Sequence, residues 1–82
     1  MEKYTLIFEI KLIDYNDPYN DMVKNIKFSP KLSKTLETKI EINQKPNKEL
    51  INFFQDKFKT LNEENIEIIS CRYLRTEFSM ED

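Results

Sequence analysis

YTLIFEIKLI, residues 4–13, is the stretch whose reading decides the fold. Tyr4, Leu6, Phe8, Ile10 and Leu12 alternate with Thr5, Ile7, Glu9, Lys11 and Ile13. A period of two, carried by aromatic and branched side chains, is the pattern of a strand. Its even face is wholly apolar and belongs to a core. Its odd face is mixed, because Ile7, Ile13 and then Tyr15 accompany Glu9 and Lys11. A strand of this kind needs a second layer over its even face.

NKELINFFQDKFKTL, residues 47–61, supplies that layer. Leu50, Phe53, Phe54, Phe58 and Leu61 fall at i, i+3, i+4, i+8 and i+11, one apolar stripe of a helix. Asn47 can cap it, Glu49 suits its positive end, and Lys57 and Lys59 suit its negative end. Asn62 stands where a left-handed stop is expected in a chain without glycine.

Between 26 and 42 the odd positions are all polar, while Ile26, Phe28, Leu32, Leu36, Ile40 and Ile42 occupy even ones. This predicts a strand at about 35–43, with 26–32 either an extended lead-in or a further strand. Pro30 removes a ladder donor, so 26–32 can pair only at an edge. Leu32, Leu36 and Ile40 also fit helical spacing, but the β-rich TKIEIN favours strand. A last strand is expected at about 65–75, NIEIISCRYLR. Its apolar positions change parity between Ile68 and Ile69, so either both faces are covered or a bulge intervenes. Without a bulge, Ile69, Cys71 and Tyr73 would join Ile7, Ile13 and Tyr15 on the second face.

Strand–helix–strand with short connections favours a right-handed parallel crossover. The expected fold is therefore α+β: a small mixed sheet of three to four strands, with the main amphipathic helix 47–61 on one face. A short helix is expected near 18–25, and residues 1–82 form one domain. A chain of 82 residues buries only about 60–65% of its potential surface, enough for one sheet face and one or two helices.

The composition excludes more function than it suggests. There is no Gly, His or Trp, and no Ala. Without glycine there is no phosphate-binding loop, dinucleotide fingerprint or nucleophile elbow. Without histidine the usual general base and the commonest zinc ligand are missing. Cys71 has no histidine to activate it, and on a strand its neighbour Arg72 points to the other face. It reads as a small buried hydrophobe. Glu63 and Glu64 read as solvated turn acids. No enzyme activity and no cofactor are expected.

Abundant Lys, Asn and Ile, with only two Arg, are the residues of A/T-rich codons and suggest an A/T-rich bacterium or its virus. One cysteine fits a reducing cytoplasm. Met1-Glu2-Lys3 leads into a charge-interrupted strand pattern, so no secretory leader is expected. No run approaches the length of a membrane span.

DYNDPYND, residues 14–21, offers oxygen ligands from Asp14, Asn16, Asp17 and Asp21. An EF-hand loop needs a central glycine and a late bidentate Glu, and neither is present. Capping fits better: Asp17 or Asn16 caps, and Pro18 takes the first helical position. Tyr19, Met22, Val23 and Ile26 then follow helical spacing. This leaves Tyr15, Tyr19, Asn20 and Asp21 as a Tyr/Asn/Asp surface of the kind found in binding loops. The C-terminal CRYLRTEF adds Arg72, Tyr73, Arg75 and Phe78, residue types enriched at binding hot spots or interfaces.

The net charge of −2 conceals a gradient: −3 over 1–23, +5 over 24–48 and −4 over 49–82. Lys24, Lys27, Lys31 and Lys34 form the densest part of the basic middle. They could meet phosphates, yet Phe28 is the only aromatic among them and its parity assigns it to the core. The overall pI of about 5.2 also runs against a nucleic-acid footprint. The sequence therefore points to a small cytoplasmic protein-binding module without catalysis. A phage-type or accessory inhibitor that occludes or disrupts a larger host protein would have this character. Homodimerisation through the second sheet face or an edge strand is the companion expectation. A nucleic-acid-binding accessory protein using 24–48 is the alternative.

Overall fold

The structure, a computed structural model, describes residues 2–80. Strand β1 spans Glu2–Asp14, helix α1 Pro18–Val23, strand β2 Lys34–Ile42, helix α2 Lys48–Lys59 and strand β3 Ile66–Met80. The sheet order is β2-β1-β3, and β1 is antiparallel to both neighbours. The fold is α+β with three strands. The outer strands β2 and β3 run in the same direction, as a β–α–β crossover requires. Because β1 lies between them, every bonded pair is antiparallel, and the expected mixed ladder does not occur. The described chain is elongated, 52 × 24 × 19 Å.

Strand β1 is central because it alone has apolar residues enough for burial along its whole length. Leu6, Ile7 and Phe8 are fully buried, and Ile10, Leu12 and Ile13 nearly so. Its even face forms the main core with Cys71. Onto this core pack Ile51, Phe54 and Phe58 of α2, with Ile66, Ile68 and Tyr73 of β3. The ring of Phe58 lies 5.4 Å from that of Phe8, and Tyr73 meets Phe8 edge-on at 5.9 Å. Burying an aromatic or aliphatic side chain of this size contributes about 1.5–3 kcal/mol. Phe53 and Leu61 of the expected stripe remain about half exposed, since α2 docks through the 51/54/58 row.

Asn47 caps α2, accepting the Leu50 N–H at 2.8 Å. The helix ends at Thr60, whose N–H reaches the Asp56 carbonyl. The left-handed residue is not Asn62 but Asn65, φ 67°, immediately before β3. Asn tolerates this conformation better than most residues.

A bulge settles the parity change in β3. The register skips Ile69 opposite Lys11/Leu12, and skips Leu74 opposite Ile7/Phe8. Ile66 and Ile68 therefore share the α2 face with Cys71 and Tyr73. The second-face grouping of Ile69, Cys71 and Tyr73 does not form. Burial pushes the Cys71 thiol up from its ordinary pKa, against a smaller opposing effect of Lys59. Strand β3 also runs five residues past the expected end, because β1 extends to Glu2 and pairs it with Met80.

The second sheet face is charged, not an apolar face awaiting cover. Arg72 pairs with Glu9 at 2.9 Å, and Arg75 with Glu77 at 3.3 Å. Arg75 also approaches Glu37 of β2 at 4.0 Å, so its side chain crosses β1 and shields Ile7. Toward the other end, Ile13 of β1 and Val23 of α1 are both buried. Of the two alternatives for 26–32, the further strand does not form: these residues are loop, and Ile26, Phe28 and Leu32 are exposed.

Candidate binding loop

The connection from β1 to β2, residues 15–33, is built from polar contacts. Asp14 accepts the Asn16 N–H at 2.8 Å, and Asp17 caps α1 by accepting the Tyr19 N–H at 2.9 Å. Pro18 follows in the first helical position, where a missing N–H costs nothing. These contacts turn the chain sharply out of β1 and start α1.

Asn20 then fastens the rest of the connection. It is fully buried. Its amide nitrogen donates to the Asp14 carbonyl at 3.1 Å and to the Leu32 carbonyl at 2.8 Å, and its Oδ1 accepts the Leu32 N–H at 2.7 Å. One side chain thus does for Leu32 what a neighbouring strand would do. The Tyr19 hydroxyl donates to the Pro30 carbonyl at 2.8 Å. Tyr15 donates to Glu67 of β3 at 2.9 Å and accepts from Lys31 at the same distance. The ammonium groups of Lys24 and Lys31 lie 5.2 and 5.3 Å from the Tyr15 ring centre, within cation–π range. Lys34 reaches Asp14 at 3.4 Å.

Of the apolar side chains that this loop exposes, that of Phe28 is the most exposed. Phe28 is 92% exposed and sits at φ 69°. A bulky residue in the left-handed region costs on the order of 1–2 kcal/mol, and such strain concentrates at functional positions. Lys27 lies over its ring at 5.1 Å. Between Asp21 and Glu37 there is no acidic residue, so along the chain Phe28 has Lys24, Lys27, Lys31 and Lys34 for neighbours, of which Lys24 and Lys31 lie over Tyr15 and Lys34 against Asp14. The hydrogen bond to Tyr15 raises the Lys31 pKa, and contact with the Asn16 N–H, then Lys34, lowers that of Asp14. Both groups keep their charge at neutral pH.

The sequence-predicted surface residues are therefore divided among different tasks. Asn20 is buried, with its amide engaged inside the chain. Tyr15 and Tyr19 are half-buried and brace the loop through their hydroxyls. Asp21 is exposed on α1. Arg72 and Arg75 lie on the charged face, while Tyr73 turns to the α2 face and bonds the Thr76 hydroxyl at 2.6 Å. Phe78 is half exposed near the sheet end, its ring 5.0 Å from that of Tyr4. The two predicted segments do not form one surface.

Phe28 is the residue that sequence reasoning placed wrongly, because even parity assigned it to the core. Its position just before Ser29-Pro30 is a signal of irregular backbone, but nothing in the pattern marks a positive φ. No helix among the described residues is long and apolar enough to cross a membrane. Comparison with protein-family models, curated proteins and solved structures found no match.

Proposed function

We propose that this chain is a non-catalytic protein-binding module whose recognition element is the 24–34 loop. Phe28 is the anchor, and Lys24, Lys27, Lys31 and Lys34 are its basic rim. The observation that carries this reading is an aromatic side chain 92% exposed on a strained backbone, in a loop tied down by the hydrogen bonds of the buried Asn20. A rigid aromatic entering a pocket is the usual centre of a binding hot spot, with charges around it steering encounter. The matching partner presents an apolar pocket with an acidic border. Asp21 on α1 and the Arg72–Phe78 segment, which runs toward the other end of the sheet, are separate auxiliary surfaces.

Covering or distorting the working surface of a larger host protein is the role we assign, as a phage-type or accessory inhibitor would do. The lone buried cysteine suits a reducing, cytoplasmic setting. Self-association is a second partner class, on a different surface. The same loop favours one other reading: an exposed aromatic among lysines can stack on a base of single-stranded nucleic acid while the lysines meet phosphates.

The test immobilises the wild-type chain and Phe28→Ala in parallel in a lysate of the source cell. One stoichiometric protein held by wild type and lost by Phe28→Ala supports the reading. Equal retention by both chains contradicts it. Retention that disappears with nuclease moves the assignment to nucleic acid.

A further inference from the structure

The outer edge of β2 is a nine-residue strand with no proline, no bulge and no cover. Among the described residues, backbone hydrogen bonds of 34–42 beyond side-chain contacts run only to β1. The other edge is treated differently. Strand β3 carries two bulges, and the Gln55 side chain accepts the Tyr73 N–H at 3.2 Å. Bulges and covering groups are the usual protection of an edge against pairing, and β2 has neither.

What β2 has is a self-complementary sequence. An antiparallel copy centred on Thr38 sets Lys34 opposite Ile42, Thr35 opposite Glu41, Leu36 opposite Ile40 and Glu37 opposite Lys39. All nine residues pair. On the charged face, Glu37 of each copy meets Lys39 of the other, giving two opposite-charge pairs. On the α2 face, Leu36 and Ile40 meet twice, and Leu36 is 43% exposed in the single chain. Moving the two-fold axis to Glu37 or to Lys39 sets like charges directly opposite. Moving it to Ile40 sets Lys39 against Glu41 but leaves 34–37 unpaired. A half-step shift turns every side chain to the wrong face.

We infer that this chain forms a two-fold dimer through antiparallel β2–β2 pairing centred on Thr38. The six strands run β3-β1-β2-β2-β1-β3. Both α2 helices lie on one side, because the axis is perpendicular to the sheet. The Leu36 and Ile40 pairs line the floor between the helices. Phe28 and its loop are not part of the pairing, so the dimer carries two copies of that anchor. The inference stands independently of the loop reading.

The test is sedimentation equilibrium from micromolar protein to about 1 mM, a range that brackets weak association. Wild type is expected to approach about 20 kDa, twice the 10.0 kDa chain. Glu37→Lys alone and Lys39→Glu alone place like charges opposite each other twice. Each is expected to raise the dimer Kd by about tenfold or more. The double exchange Glu37→Lys with Lys39→Glu restores dimer, and so does an equimolar mixture of the two single variants. Both positions are exposed, so circular dichroism should show each variant folded. Thr38→Cys should cross-link to a covalent dimer on mild oxidation. A wild type that stays monomeric, single variants that dimerise normally, or a mixture that fails to restore dimer would each overturn the inference.

Discussion

Two long connections join the strands of this sheet, and they are secured by opposite means. Residues 43–65 hold α2 to the sheet with apolar side chains: Ile51, Phe54 and Phe58 rest on Leu6, Phe8 and Ile10. Residues 15–33 are held with hydrogen bonds, from Asn20 to Leu32 and from Tyr19 to Pro30. An apolar lock is tolerant, because side chains of similar volume can replace one another. A polar lock is specific, because an unmatched buried donor or acceptor is costly. The apolar lock spends its aromatics on the core. The polar lock leaves Phe28 outside.

The largest expected effect breaks the apolar side. Phe58→Ala removes the ring packed at a tilt against Phe8 and should cost about 3 kcal/mol, read from urea unfolding at constant m. A loss under 1 kcal/mol would mean that α2 is not held by this row. Breaking the polar side comes next. Asn20→Ala leaves the Leu32 N–H and two carbonyls without their partner and should cost about 2 kcal/mol. It should also expose Lys24, Lys27 and Lys31 to trypsin while α2 stays protected, a separation that Phe58→Ala should not produce.

A smaller effect comes from pH. The Asp14 pKa is lowered, chiefly by the Asn16 N–H and then by Lys34. A carboxylate with a depressed folded-state pKa contributes stability above its unfolded pKa and loses it as pH falls through the folded one. The 15–33 connection should therefore loosen below about pH 4, while the apolar connection holds. The Asn16 amide resonance reports this directly. Titration of that amide at the ordinary aspartate value would contradict the contact. The smallest effect has the opposite sign. Phe28→Gly relieves a positive φ and surrenders almost no buried surface, so it should leave stability unchanged or raise it by up to about 1 kcal/mol.

The same contrast governs what could be read from the sequence. Strand β1 and helix α2 were legible because burial imposes a period, and Tyr4–Ile13 and Leu50–Leu61 carry periods of two and near 3.6 without interruption. The bulges of β3 were legible only as a question. The change at Ile68–Ile69 announced an irregularity, and only the register on β1 decided it. The bulge at Leu74 had no such sign, although it sets Arg72 and Arg75, three apart, on one face. The alternation over 26–32 could not decide between an extended lead-in and a further strand, because Leu32 takes its hydrogen bonds from a side chain twelve residues earlier. A polar clamp leaves no period. Tyr15, Tyr19 and Asn20 read as a binding surface in the sequence, since their residue types cannot tell such a surface from the bracing beneath one.

The most direct test of the binding role compares wild type, Phe28→Gly and Phe28→Ala against the purified partner by titration calorimetry. The proposal predicts that both variants fold at least as well as wild type and bind about a hundredfold or more weaker, the scale of a hot-spot aromatic. Binding within threefold of wild type, in variants of unchanged stability, would contradict it.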